Sequence, residues 1–301
     1  MTIVPRMSFL GANRAAQSRL RAAYSRMEKA NQQVSTGKAY SRPSENQSAS
    51  ARAAVLQDQL DQVSSFGRAI DDSRSRLSLA DTKMQQAMDL YHRITELATQ
   101  AASSINSADS RKAIREEVLQ LHGELESIAN TQHLGAPIFG GFGAGNAVSF
   151  DTTSSSWVFA GSPSDRLQRR IGPNEVVDTS ITASELFSNG TTDIFTVLDG
   201  LATALNNNDT PNIQASLDQV TSLRSTLSSG QARMGAVVNR VEQASDRNAS
   251  IKVTLTAELS QVQDVDIGDA MTDQSRLTMA YQAALGVTAK ANSQTLLDWL
   301  R

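Results

Sequence analysis

Leu56, Val63, Ile70, Leu77, Met84, Tyr91, Ala98 and Ile105 stand seven residues apart, and all eight are apolar. The positions three residues after each, Gln59, Phe66, Ser73, Ala80, Ala87, Ile94 and Ala101, are mostly apolar or small. An a/d repeat sustained this long marks a helix that winds against another helix. At 1.5 Å rise per residue the seam spans roughly 75 Å, whereas an ordinary globular helix has about 11 residues. The pattern predicts a rod.

A return seam runs near the other end: Ile213, Val220, Leu227, Met234, Val241, Asn248, Leu255 and Val262 are again seven apart. Asn248 is the one polar residue in that series, and a lone Asn at such a position can fix helix register; splaying of the two helices there explains it equally well. A shorter helix carries Ile114, Val118, Leu121, Leu125 and Ile128, preceded by the serine-rich turn Ser103 to Ser110. None of the six prolines lies between Pro43 and Pro137 or after Pro211, so long helices can run in both gaps. Thr210-Pro211 reads as a helix start with Thr210 as N-cap, and Ser44 to Gln47 as a capping box.

Residues 136 to about 200 change character. Gly140, Gly141, Gly143 and Gly145 lead into short β-prone runs at Val148 to Phe150, Trp157 to Phe159, Leu167 to Ile171, and Val176-Val177. Asp193 to Leu205 reads as a helix leading out. The fold class expected is mainly α: an elongated rod of long antiparallel coiled-coil helices from both chain ends, with a small central β-rich insert. Three divisions follow. Residues 1–43 plus 264–301 form a terminal-helix assembly domain, 44–135 plus 206–263 a helical rod domain, and 136–205 a β-rich insert that reads as separable from the rod.

The chain of 301 residues carries a net charge of −3, which gives no general reason to expect nucleic acid. Aromatics make up 5% of it, too few for a thick globular core. With no cysteine, disulfides and thiolate metal sites are excluded. Gly141 to Gly145 resembles a fragment of a dinucleotide fingerprint but lacks a preceding strand and a following helix. His92, His122 and His133 have no ligand-like spacing. These features predict no enzyme, no cofactor and no metal. The first seven residues hold no long apolar run of a signal peptide, and Leu277 to Ala289 is too short to span a bilayer, so no stable membrane insertion is expected.

The two ends are unusual. Residues 1–40 carry seven basic residues against Glu28, and residues 258–301 carry six acidic residues against three basic ones, so opposite charge favours their meeting. The last helix is apolar nearly all round. Leu277, Tyr281, Leu285, Val287, Leu296, Leu297, Trp299 and Leu300 cannot share one stripe with Met271 and Met279, and one partner helix cannot cover them all. Other subunits are expected to supply the remaining cover.

Several segments, in order, resemble the flagellin-like axial proteins of bacterial flagella, and within them the hook–filament junction proteins. Val34-Ser-Thr-Gly-Lys38 with Arg42-Pro-Ser44 is similar to the family's N-terminal "SGkr…psD" segment. Gly135 to Gly141 resembles the junction proteins' "G-x-Y-x-F-x-G", and Ser164 to Phe187 their β segment. Ala232 to Ala236 with Asn239-Arg240, and Asp264 to Leu300, are similar to the C-terminal motifs. Two departures, Glu45-Asn46 for paired aspartates and Pro137 for an aromatic, bear on the hinge and the helix-to-β turn. The Phe139-Gly-Gly141 element and the missing "Asp-Asp-Ala-Ala-Gly" stretch separate it from ordinary flagellin, the nearest alternative; a type III translocator-like coiled coil is a more distant one. The resemblance implies an extracellular flagellar protein, exported without a cleaved signal peptide through the type III channel. It also implies self-association in a helical layer, and contacts with the second hook-associated junction protein, flagellin and an export chaperone that holds the C-terminal helix.

Overall fold

The computed structural model describes residues 9–103, 106–143, 145–162 and 164–297, with the side chains of residues 9, 10, 12, 13 and 291–297 left undescribed. In chain order its elements are α1 (Phe9–Thr36), a 3-10 turn (Pro43–Glu45), α2 (Gln47–Ala102), α3 (Ala108–Ala129), β1 (Gln132–His133), β2 (Ala136–Pro137), β3 (Val148–Asp151), β4 (Ser156–Phe159), β5 (Gln168–Gly172), β6 (Glu175–Asp178), α4 (Ala183–Phe187), α5 (Ile194–Asn206), α6 (Thr210–Gln263) and α7 (Ile267–Leu297). The fold is mainly helical, with long helices from both ends and three small antiparallel hairpins between them.

The helices α2 and α6 have 56 and 54 residues and occupy the two proline-poor stretches. Both caps differ from the sequence expectation. Pro43–Glu45 folds as a 3-10 turn, which moves the α-helical start past Ser44; Asn46 becomes the cap, its Oδ1 accepting the Ala49 N–H at 3.1 Å. Glu45 turns instead to the Lys29 ammonium at 3.5 Å. At α6, Thr210 is already helical and Asp209 caps, accepting from the Asn212 N–H at 3.3 Å. A carboxylate at that end also suits the positive end of the helix dipole.

The chain divides into two compact units, Gln62–Ile251, and Met1–Asp61 with Lys252–Arg301. In the first, three contacts fix how α2 and α6 run. Gly67 faces Asn248, whose amide nitrogen would lie 3.2 Å from a Cβ at 67. Arg74 pairs with Glu242 at 3.6 Å, and Arg224 meets His92 at 3.5 Å. Numbers rise on one helix as they fall on the other by nearly equal steps, so the helices are antiparallel in a steady register. Val63, Ile70, Leu77, Met84, Tyr91 and Ala98 are buried, as are Ile213, Val220, Leu227, Met234 and Val241. Ile105 lies outside the described residues.

The hairpins share this core. A single buried cluster runs from Ile70, Leu77 and Tyr91 through Phe139, Ile171 and Leu186 to Leu227 and Val241. Arg76 is buried in α2 and donates to the Pro137 and Ile138 carbonyls at 2.9 and 3.2 Å. Burial lowers its pKa, an effect that nearby Asp72 opposes. Asn130, at the end of α3, exchanges side-chain amide bonds with the Val148 backbone at 2.8 and 2.9 Å and so steers the chain into β3. The β3–β4 hairpin presents Trp157 to Phe195 of α5, centroids 4.9 Å apart, while Phe187 and Phe139 meet edge-on at 6.2 Å. Glu185 closes a capping box with Thr182 and binds Arg166 and Arg233 at 2.7 and 3.2 Å, tying α4 to the segment before β5 and to α6.

Candidate functional site at the paired terminal helices

In the second unit α1 and α7 pack antiparallel. Asn31 accepts from Gln274 at 3.0 Å, and the rings of Tyr24 and Tyr281 lie 5.6 Å apart. The crossing at the base of the pair is held by backbone: the Val265 N–H donates to the Gly37 carbonyl at 2.9 Å and the Ala39 N–H to the Gln263 carbonyl at 2.8 Å. Gly37 has φ +69°, a left-handed helix-terminating position that favours glycine.

The shielded positions explain why these segments pair. On α7 Ala270 is buried, and Gln274, Leu277, Tyr281, Ala284 and Thr288 are half-buried, spaced four and three apart. On α1 Leu20, Ala23, Met27, Ala30 and Val34 repeat the pattern, with Ala30 buried. This is one coiled-coil seam between two helices. Charge plays a smaller part than the sequence suggests. Arg14, Arg19, Arg21 and Arg26 are exposed, and among the described residues none forms an ion pair with α7. The acids that were expected to meet them sit elsewhere: Asp264 accepts from Ser260, Asp266 caps α7 through the Gly268 N–H, and Asp273 pairs with Arg276. Small and apolar side chains bring the ends together.

The residues expected from the sequence to serve in assembly divide between two faces. Leu277 and Tyr281 lie in the seam against α1. Leu285 is 41% exposed and Val287 70%, and Ile267, Met271 and Met279 are exposed too. At roughly 100° per residue, Met271, Met279 and Val287 follow one another at about 80° steps around the helix. One partner helix leaves them open. Leu296 and Leu297 lie in α7 with side chains outside those described, and Trp299 and Leu300 lie outside the described residues.

The α6 series loosens in the direction of α7. Asn248, Leu255 and Val262 are half-buried, while Ile251 and Val253 are exposed, unlike Val241 and Met234. Asn248 fits over Gly67, where a larger residue would crowd it. Leu56 is buried. Tyr40 was not singled out from the sequence, and Lys38 and Ile267 entered only as parts of family-like segments. Ile267 opens α7 beyond the heptad series, and the other two lie in a link with no period to read. No helix among the described residues is long and apolar enough to cross a membrane.

Paired terminal helices with open apolar faces, set either side of a strand-bearing middle in the sequence, define a class of helical subunits whose two chain ends pack on each other. The bacterial flagellin N-terminal helical region matches residues 7–141 and the C-terminal helical region residues 217–300, together most of the chain. The chain belongs to the flagellin-like family and is a structural protein of the bacterial flagellum. It is 26% identical to the flagellar filament 33 kDa core protein of Treponema phagedenis, over 91% of this chain and 92% of that one. Its identity to flagellar hook-associated protein 3 of Escherichia coli is 24%, over 84% and 87%. Among solved structures, a hook-associated protein from Vibrio parahaemolyticus superposes with a TM-score of 0.68 at 17% identity, over 73% of this chain and all of that one. The flagellar junction protein of Legionella pneumophila gives 0.60 at 16% identity, over 70% and 99%.

Proposed function

We propose that this chain is the junction subunit that joins the hook-associated region of the flagellum to its flagellin filament. The observation that carries the reading is the open apolar side of α7, which its packing against α1 leaves uncovered. Burying such surface between subunits contributes about 25 cal/mol per Å². Support for a junction rather than a filament comes from the fold likeness to hook-associated and junction proteins, which spans nearly the whole of those chains. On this reading the partners are further copies of the chain, a second hook-associated protein on one side and flagellin on the other. An export chaperone covers the C-terminal helix before assembly, and the protein reaches the cell exterior without a cleaved signal peptide. Its role is structural rather than catalytic.

A filament subunit is the second reading, favoured by the 26% identity to a filament core protein. A deletion strain separates the two. Loss of the junction subunit leaves full-length flagellin secreted into the medium from cells that retain hooks. Loss of a filament subunit leaves the medium without that flagellin.

A further inference from the structure

The helix pair α1–α7 carries its charge in two separate zones. Arg14, Arg19, Arg21 and Arg26 are exposed, and none of the four pairs with an acid among the described residues. Residues 14–27 hold no acid, and neither do residues 277–290, which run beside them on α7. At the base of the pair the balance reverses. Asp264, Asp266, Asp269 and Asp273 are exposed, and residues 264–273 include no Lys or Arg. Asp269 meets no cation among the described residues, and Asp273 meets Arg276 of its own helix at 2.9 Å.

The register keeps the zones apart. Asn31 lies level with Gln274 and Tyr24 with Tyr281, which sets Asp273 level with Gln32 and Asp269 with Thr36. The four arginines centre about 14 residues further along the pair, roughly 20 Å at 1.5 Å each. That is more than two Debye lengths of about 8 Å, so the two zones do little for one another inside a copy. Resting on the assembly reading above, we propose that α1 of one copy lies beside the start of α7 of a second copy, the two helix pairs pointing the same way and offset by about 20 Å along their length. Copies in one axial layer share a direction, and this offset sets the arginines level with Asp269 and Asp273 of the neighbour. Exposed ion pairs add little affinity, but complementary surfaces fix register and exclude wrong alignments. A flush pairing would put arginines beside arginines. Burial of the exposed Met271 and Met279 supplies the attraction, and charge supplies the offset. Each copy offers α1 to one neighbour and α7 to another, so the contact propagates from copy to copy.

Charge exchange in cells tests the offset, with each full-length variant replacing the natural chain and flagellin quantified on cells and in the medium. Arg14→Glu, Arg19→Glu, Arg21→Glu and Arg26→Glu together are expected to lower attached flagellin about tenfold, and Asp269→Lys with Asp273→Lys to do the same. A chain carrying both sets is expected to recover most of the attached flagellin, because each copy again meets its opposite. All three purified chains should melt within error of the wild type, since the changed positions are exposed. Lysine at the four arginine positions should keep the filaments. Filaments that survive either reversal, or a chain with both sets that fails to recover them, would overturn the proposal. So would a closed two-fold dimer of the purified chain that the four-arginine variant dissolves, since antiparallel copies meet both zones at once without the offset. Should the reversed chains keep their filaments while cells carrying Leu285→Asp shed flagellin, the offset falls and the assembly reading stands.

Discussion

Gly230 shows how much one absent methyl decides. It occupies a d position of α6, and a Cβ there would sit 2.5 Å from Leu186 Cδ2 and 3.4 Å from Ile181 Cδ1. Alanine would gain about 1 kcal/mol of helix propensity, but overpacking a filled core costs about 1–3 kcal/mol. Leu186 is fully buried and has little room to retreat, so overpacking wins. Gly230→Ala is expected to lower the melting temperature measured by circular dichroism; a rise would show that Leu186 gives way. Tyr91 presents the opposite case. Burial, with Asp193 as a lesser cause, pushes its phenol far above the usual range, and its hydroxyl has no hydrogen-bond partner among the described residues. Removing an unmatched buried polar group relieves a desolvation cost of about 1–3 kcal/mol, so Tyr91→Phe should hold or raise the melting temperature. A clear drop would mean that the hydroxyl has a bonding role. Leu77→Asp, in the same seam, should cost several kcal/mol because the site is dry. The seam positions could be read from the sequence. Why one of them is glycine could not, because the answer lies in Leu186, on an element with no periodicity linking it to α6.

At the scale of elements, the long helices were legible because their repeat is sustained, and the strands at 148–151, 156–159, 168–172 and 175–178 because β-prone runs alternate with turn residues. The β1–β2 pair and α4 were not, being two residues per strand and five residues long. Cap positions shifted where a 3-10 turn or a neighbouring Asp competed with the residue of best local pattern. Composition also suggested that the β-rich segment could be cut away. The structure shows Phe187 and Phe195 in the same buried cluster as Tyr91 and Leu227. Excising residues 146–200 would therefore strip one side of the helical core, and the shortened chain should melt at least 10 °C lower or lose its cooperative transition. An unchanged helical melt would show instead that the strands are a detachable module.

At the scale of the whole molecule, α7 divides its labour between two sides. One side, through Ala270, Leu277 and Tyr281, holds α1; the rest, through Met271, Met279, Leu285 and Val287, is open. The sequence showed that apolar residues surround this helix, but not which of them α1 would take, since that depends on the register set by Asn31 with Gln274 and Tyr24 with Tyr281. A substitution on the open side should spare the monomer and damage only the assembly. The most direct measurement expresses Leu285→Asp in a strain lacking the natural chain and quantifies flagellin on cells and in the medium, alongside the melting curve of the purified variant. The expected result is a melting temperature within error of the wild type, few or no attached filaments, and flagellin shed into the medium. Swimming cells with normal filaments and a stably folded Leu285→Asp chain would contradict it.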